Sequence, residues 1–237
     1  MYCFDSRVRY SEVDHNKTMN VSSIINYFQD CSNFQSDSLG VGISELTKRS
    51  RVWIMSSWQL IINRYPTIGE TITIGTWPYD RKGMYGYRNF ILYDEKKEVA
   101  AVANSIWVLM DTNLNRPVKI TDEDYQAYQN EPAYPMEYAD RKIKIPGELT
   151  PLPPFVVMPS FIDVLNHVNN AQYIRMATDY VDENFKVTQM RADYRKSALL
   201  GDMIYPNISK TKDCITVVLS DKDGQPYVTV AFYGNAV

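Results

Sequence analysis

The sequence predicts an α+β protein made of two copies of one unit, each with an early helix followed by antiparallel strands. In each half, an apolar pattern of helical period precedes four runs rich in β-branched and aromatic residues, with turn residues between the runs. The two halves also share markers. Asp14 and Asp163 each precede a helix, and Gly69 and Gly201 each open a later strand. This self-similarity indicates a repeated unit, and the order of helix then strands indicates α+β architecture.

The first unit is placed at residues 1–120. A strand is expected from Phe4 to Val13 and a helix from Val21 to Leu39, with Gly40 ending the helix. Four strands are then expected at Val52 to Asn63, Glu70 to Tyr79, Tyr85 to Tyr93 and Val99 to Asp111.

A connecting segment and the second unit follow. Residues 121–154 hold six prolines, several tyrosines and acidic residues without a clean period, so an extended surface connector is expected. The second unit, residues 155–237, opens with a strand at Phe155 to Met158, and a helix is predicted to run to about Asn184. Its later strands are expected at Thr188 to Ser197, Asp202 to Ser209, Cys214 to Ser220 and Tyr227 to Tyr233.

Composition excludes several classes of function. The net charge of −3 argues against nucleic acid as a partner. Cys3, Cys31 and Cys214 show no metal-type spacing and fit reduced thiols, so no metal and a cytoplasmic location are expected. No apolar run approaches the ~18 residues of a membrane span. The absence of a Gly-rich phosphate loop predicts that no nucleotide cofactor is bound.

The stretch from Asp163 to Asn170 is the main candidate site, because it holds a carboxylate, an imidazole and three carboxamides in eight residues. The chain has only two histidines, His15 and His167, so proton transfer near neutral pH has few candidates. His15 is predicted to lie on the surface, because Thr18 occupies the place in the first half that His167 has in the second.

A helix is predicted directly after this stretch. Asn169 or Asn170 is suited to cap it, since a carboxamide oxygen accepts from the unpaired amides of the first turn. The loop therefore delivers Asp163 and His167 to the positive end of a helix, where an oxyanion would be stabilised. The alternative interpretation is a capped surface helix with a polar lead-in.

Several motifs occur in a fixed order over nearly the whole chain. They are Arg9-Tyr10-Ser11-Glu12-Val13-Asp14, Asn26-Tyr27-Phe28-Gln29-Asp30, Ser105-Ile106-Trp107-Val108-Leu109-Met110-Asp111, Asp163 through Asn170, and Asp193-Tyr194-Arg195-Lys196. This order resembles the acyl-acyl carrier protein thioesterases, a double hotdog family of plants and bacteria. The resemblance implies a tandem hotdog, in which an antiparallel sheet wraps each long helix.

The resemblance also implies an activity, which is hydrolysis of fatty acyl thioesters on acyl carrier protein to release free fatty acid. In that family the N-terminal unit holds the acyl chain and the C-terminal unit carries the catalytic loop. Asp163 and His167 match the family directly. Val168, Asn169 and Asn170 then correspond to the substrate and oxyanion loop.

Two positions depart from the family. Leu165 stands where the family has its Asn, with Asn166 one place later. Ser197 stands where the family has its Glu, and Ala198 where plant members have Cys. Asn166 and Ser197 are candidate replacements for the missing catalytic groups.

Alternatives remain open at this stage. Leu165 and Ser197 favour a hotdog pair that binds acyl groups without cleaving them, and an acyl-CoA thioesterase is a third possibility. Two basic clusters are each either a solvated face or a surface that steers an acidic carrier protein: Lys48-Arg49-Ser50-Arg51, and Arg191 with Arg195 and Lys196. The sequence leaves acyl chain length open, and a monomer and a homodimer are both compatible with it.

Overall fold

A computed structural model describes residues 1–236. The chain divides into two compact units. The first comprises Met1–Ser56 and Ile62–Ala139, and the second comprises Ser57–Ile61 and the chain from Asp140 onward. The boundary after Ala139 therefore falls within the segment expected to connect the two repeats.

The first unit packs one long helix on an antiparallel sheet. Its helices are α1 (Val21–Ser38), α2 (Ile43–Lys48) and α3 (Asp122–Tyr125), and its strands are β1 (Tyr2–Arg7), β2 (Arg51–Ile62), β3 (Thr71–Lys82), β4 (Tyr85–Tyr93), β5 (Val99–Asp111) and β6 (Arg116–Pro117). The strands pair in the order β1, β3, β4, β5 and β6, each antiparallel to the next. Helix α1 buries Ile24, Ile25 and Phe28 completely.

Local signals explain why α1 forms where the sequence predicts it. The Asn20 side chain accepts from the Ser23 amide at 2.8 Å and so caps the first turn. After Ser38 the chain turns through Gly40 at φ +70°, a left-handed conformation that glycine adopts without strain. The expected helix is confirmed at both ends to within one residue.

Two expectations in the first unit differ from the structure. Strand β1 ends at Arg7, not Val13, because the chain enters a 3-10 turn at Tyr10–Glu12. The segment expected as a surface connector begins with α3, capped by the Thr121 side chain. Tyr125 and Tyr128 just beyond that cap are buried, so the start of the segment is part of the first unit's core.

The second unit repeats the plan with a shorter helix. Its elements are β7 (Thr150–Pro151), β8 (Phe155–Val156), α4 (Asn170–Thr178), β9 (Phe185–Tyr194), β10 (Met203–Lys210), β11 (Cys214–Ser220) and β12 (Pro226–Ala236). β9 pairs with β12, β12 with β11, and β11 with β10, while β7 and β8 both pair with β10. Residues Ser57–Ile61 of β2 belong to this unit because they pair with β9.

Helix α4 ends at Thr178, six residues before the expected end at Asn184. Its last turn tightens, since the Tyr180 amide donates to Ala177 and the Val181 amide to Thr178. Val181 therefore lies outside the helix face where its spacing had placed it. β9 is correspondingly earlier than expected, and Ser197 lies beyond its end.

No helix of the described residues is long and apolar enough to cross a membrane. Within residues 1–236, no group of three or more His, Cys, Asp or Glu side chains is arranged to hold a metal ion.

Candidate active site

The candidate loop is a tight turn that brings Asp163 and His167 together at its base. The Asp163 amide donates to the His167 carbonyl at 2.8 Å, and Ile162 bridges Val168 just outside this pair. Asn166 reverses the chain at φ +62°, a left-handed conformation that Asn tolerates better than most residues. The backbones of the two residues predicted to act together are therefore paired across one turn.

The loop leads directly into α4. The Asn169 side chain accepts from the Ala171 amide at 2.9 Å, and the Asn169 carbonyl accepts from the Gln172 amide at 2.9 Å. This confirms the predicted cap at Asn169, with Asn170 as the first helical residue. The turn thus stands at the amino end of the helix, where the helix dipole is positive.

Most amides at this helix end are already hydrogen-bonded within the protein. Val168 donates to the Ala198 carbonyl at 3.1 Å, Asn169 to the Phe161 carbonyl at 2.9 Å, and Ala171 to the Asn169 side chain. The oxyanion role expected for Val168, Asn169 and Asn170 therefore stays a prediction. Among the described residues, the His167 amide donates to no protein group, which no residue pattern in the loop predicts.

A segment after β9 lies against the loop, and we call residues 195–202 the strap. Ala198 is the point of contact, because its carbonyl accepts from Val168 and its amide donates to the Tyr173 hydroxyl at 2.7 Å. Ser197 precedes this contact and is exposed. In the described part of the chain Ser197 makes no hydrogen bond, so it adjoins the contact at Ala198 but is not itself hydrogen-bonded to the loop.

The first unit contains the same loop, built on Asp14 and Thr18. The Asp14 amide donates to the Thr18 carbonyl at 2.9 Å, and Lys17 reverses the chain at φ +64° as Asn166 does. Met19 donates to the Pro66 carbonyl at 2.8 Å, which matches the contact of Val168 with Ala198. The two loops are therefore structural equivalents, as the sequence repeat predicts.

The two loops differ in how much of their polar capacity is used. The Asp14 carboxylate accepts from the Asn16 amide at 2.9 Å and from the Thr18 amide and hydroxyl, each at 3.1 Å. The tip of this first loop is also tied down, since the Ile68 amide donates to the Lys17 carbonyl at 3.0 Å. The first loop is closed on itself.

The second loop is more open. The Asp163 carboxylate accepts from the Leu165 amide at 2.8 Å, and this is its one hydrogen bond to the described residues. Across residues 1–236, no hydrogen bond ties the Asn166 carbonyl to the strap as Lys17 is tied in the first unit. Asp163 and His167 therefore keep free hydrogen-bonding groups, whereas the equivalent groups of the first loop are bonded within that loop.

Apolar side chains are exposed on both the loop and the strap. The exposed fractions are 82% for Val164, 38% for Leu165, 49% for Leu199 and 59% for Leu200. Large apolar side chains grouped on a surface are characteristic of binding sites. An apolar ligand is therefore the class that this surface fits.

The positive groups of the strap are already neutralised. Arg195 forms an ion pair with the buried Asp193 at 2.6 Å, and Lys196 pairs with Asp221. The hydrogen bond from Lys196 lowers the pKa of the Asp221 carboxyl below its usual value. In the first unit, Lys48, Arg49 and Arg51 likewise each pair with a carboxylate. These pairings weaken the hypothesis that the basic clusters attract an acidic partner.

The chain matches one family over both of its units. Residues 2–128 match the acyl-ACP thioesterase N-terminal domain, and residues 153–230 match the acyl-ACP thioesterase C-terminal domain. The acyl-[acyl-carrier-protein] hydrolase FATB3, chloroplastic, of Cuphea viscosissima is 31% identical over 235 residues, covering 87% of this chain and 55% of that protein. The oleoyl-acyl carrier protein thioesterase 1, chloroplastic, of Arabidopsis thaliana is 27% identical over 218 residues, covering 83% of this chain and 60% of that protein. The chain spans about half the length of the curated relatives it matches.

Solved structures show the same fold. A putative oleoyl thioesterase from Lactobacillus plantarum superposes with a TM-score of 0.88 at 22% identity, covering 100% of this chain and 96% of that one. The 12:0-ACP thioesterase from Umbellularia californica gives a TM-score of 0.85 at 20% identity, covering 100% and 97%. The predicted tandem hotdog fold is confirmed.

Proposed function

Because the chain belongs to the acyl-ACP thioesterase family, we propose that it hydrolyses fatty acyl-acyl carrier protein thioesters and releases free fatty acid. The observation that carries this proposal is the difference between the two equivalent loops. The Asp14 carboxylate accepts hydrogen bonds from three donors of its own loop. The Asp163 carboxylate accepts one hydrogen bond from the described residues and lies in the same turn as His167. A carboxylate with free acceptor capacity, in the same turn as an imidazole, supplies the base and the proton donor that hydrolysis requires.

In the proposed reaction Asp163 acts as the general base. It takes a proton from water as the water oxygen bonds to the thioester carbonyl carbon. When the carbon–sulfur bond breaks, His167 donates a proton to the leaving thiolate, and the proton that Asp163 took from water then passes to His167, which restores both groups. The charge that develops on the carbonyl oxygen falls at the amino end of α4, and one well-placed donor there contributes about 10²–10³ in rate. Asn166 is proposed to replace the family's missing carboxamide, and Ser197 to hold a water molecule in the place of the family's missing acid.

The two units take different parts in this proposal. The first repeat, residues 1–120, is proposed to hold the acyl chain, as the family resemblance implies, and residues 121–154 to connect the two repeats. The second unit, residues 155–237, carries the catalytic loop. The apolar side chains Val164, Leu165, Leu199 and Leu200 support acyl binding beside that loop. A cytoplasmic location and a monomeric or homodimeric state stay predictions, and the plant relatives named above are chloroplastic.

A second candidate is an acyl-binding protein that does not cleave its ligand. Two features favour it. Leu165 replaces a carboxamide at the tip of the turn, and Ser197 makes no hydrogen bond to the loop in residues 1–236. An acyl-CoA thioesterase is a third candidate, because the basic clusters are paired with carboxylates and therefore give no preference for an acidic carrier protein over CoA.

The test is fatty-acid release from acyl carrier protein loaded with chains of eight to eighteen carbons, beside CoA thioesters of the same lengths. Catalytic release from the carrier-bound substrates supports the proposal and identifies the preferred chain length. Tight binding of acyl groups without release supports the binding protein. Faster release from CoA thioesters at every length supports the acyl-CoA thioesterase.

A further inference from the structure

Both backbone polar groups of Ala198 are hydrogen-bonded. Its amide donates to the Tyr173 hydroxyl at 2.7 Å, and its carbonyl accepts from the Val168 amide at 3.1 Å. Ala198 is fully buried and Tyr173 is 2% exposed, so water does not substitute for either partner. Tyr173 belongs to α4, and Val168 follows His167 directly. The loop is thus fastened to its own helix through the strap.

The first unit shows what happens where this hydroxyl is missing. Counted from the capping residues Asn20 and Asn169, the helix position four residues later is Ile24 in the first unit and Tyr173 in the second. The residue equivalent to Ala198 is Pro66, three residues before the corresponding glycine in each unit. Proline has no amide hydrogen and needs no acceptor. A hydroxyl is therefore present in the unit whose strap has a donor, and absent in the unit whose strap has none.

We propose that Tyr173 is a positioning residue for the hydrolysis carried out by Asp163 and His167. Its hydroxyl fixes Ala198, Ala198 fixes Val168, and Val168 sets where His167 stands relative to the bound thioester. This inference rests on the proposed function. Burial raises the pKa of the Tyr173 hydroxyl, which stays neutral and keeps its oxygen as an acceptor at physiological pH.

Replacing Tyr173 by Phe is the direct test. Tyr173→Phe keeps the ring but leaves the buried Ala198 amide without its acceptor, an unfavourable state that loosens the strap. The expected result is a fall in kcat of about tenfold, which corresponds to about 1.4 kcal/mol of transition-state stabilisation, with KM changed less than about twofold. Tyr27→Phe in the first unit is the control. It removes a hydroxyl that bonds Ser6 and Glu12, so stability falls and kcat does not.

A rescue variant tests whether the orphaned amide of Ala198 causes the loss of activity. In Tyr173→Phe/Ala198→Pro the orphaned amide is removed, as Pro66 removes it in the first unit, and kcat is expected to recover to within about threefold of wild type. Hydrogen exchange of the Val168 amide in the free protein should speed up in Tyr173→Phe and slow down again in the double variant.

Each outcome is decisive. Wild-type kcat in Tyr173→Phe overturns the proposal, and so does a loss that Ala198→Pro fails to restore. If the wild-type protein releases no fatty acid from any carrier-bound substrate, the proposed function fails. The exchange rate of the Val168 amide then tests, by itself, whether Tyr173 holds Val168 in place through Ala198. An unchanged exchange rate in Tyr173→Phe overturns the inference.

Discussion

Replacing Asp163 and Asp14 by Asn should separate activity from stability. The two carboxylates occupy the same place in equivalent loops but have different partners. Asp163 accepts a hydrogen bond from Leu165, which the carboxamide oxygen of Asn can also accept. Asp14 accepts from two backbone amides and the Thr18 hydroxyl. The same substitution therefore removes the proposed general base in one loop and weakens a hydrogen-bond network in the other.

The structure sets the size of each effect. General-base catalysis contributes about 10²–10⁴ in rate, so Asp163→Asn should lower kcat/KM by about that factor, or about 3–5 kcal/mol. Hydrogen bonds to a charged acceptor are about twice as strong as neutral ones, so Asp14→Asn should destabilise the protein by about 1 kcal/mol. For a chain of this length that lowers the unfolding midpoint by about 2–4 °C.

The assay measures kcat/KM and the thermal unfolding midpoint on the same preparations of both variants. We expect Asp163→Asn to lose activity with a midpoint near wild type, and Asp14→Asn to lose stability with kcat/KM within about twofold of wild type. Equal losses of activity in the two variants would refute the reasoning, because they would mean that the open and closed loops are functionally alike.

Two further predictions concern stability. Asn169→Ala removes the cap of α4 and should lower the free energy of unfolding, measured in urea, by about 1 kcal/mol. Asn169→Ser keeps a capping oxygen and should leave this free energy unchanged. Equal losses in the two variants would exclude the cap as the cause. The hydrogen bond from Arg64 lowers the pKa of Glu70. Its stabilisation is therefore present above a pH of about 4.3 and is lost as pH falls through the folded-state pKa. Between pH 7 and pH 3 the unfolding free energy of wild type should drop more than that of Glu70→Gln, and parallel curves would contradict this.

The elements that the sequence predicted well are those set by local signals. α1 has an apolar period, an Asn cap and a glycine stop, all readable within a few residues. The predicted end of α4 was wrong because the sequence after Thr178 contains no clear helix-stop signal. The helix ends early because the chain continues into β9, whose position is set by pairing with β12. The sequence of a single strand does not predict which distant strand it pairs with.

The candidate site likewise contains some residues that the sequence could identify and others that it could not. Asp163, His167 and Asn169 could be found because their residue types are unusual in so short a stretch. The part played by Ala198 could not, since it acts through its backbone, and an alanine carries no chemical signal. The one available clue was the repeat itself, which sets Tyr173 against Ile24 and Ala198 against Pro66. The burial of Tyr125 and Tyr128 was missed because the prolines that follow them dominate the composition of the segment.

The most direct test of the account compares the two histidines of the chain. Fatty-acid release from the preferred acyl-acyl carrier protein is measured for wild type, His167→Ala and His15→Ala. Both residues belong to equivalent turns, but His15 is exposed in the closed loop and has no part in the proposed chemistry. We expect a loss of at least about 100-fold for His167→Ala and of less than about twofold for His15→Ala. Release by His167→Ala at the wild-type rate would contradict the assignment of hydrolysis to the second loop.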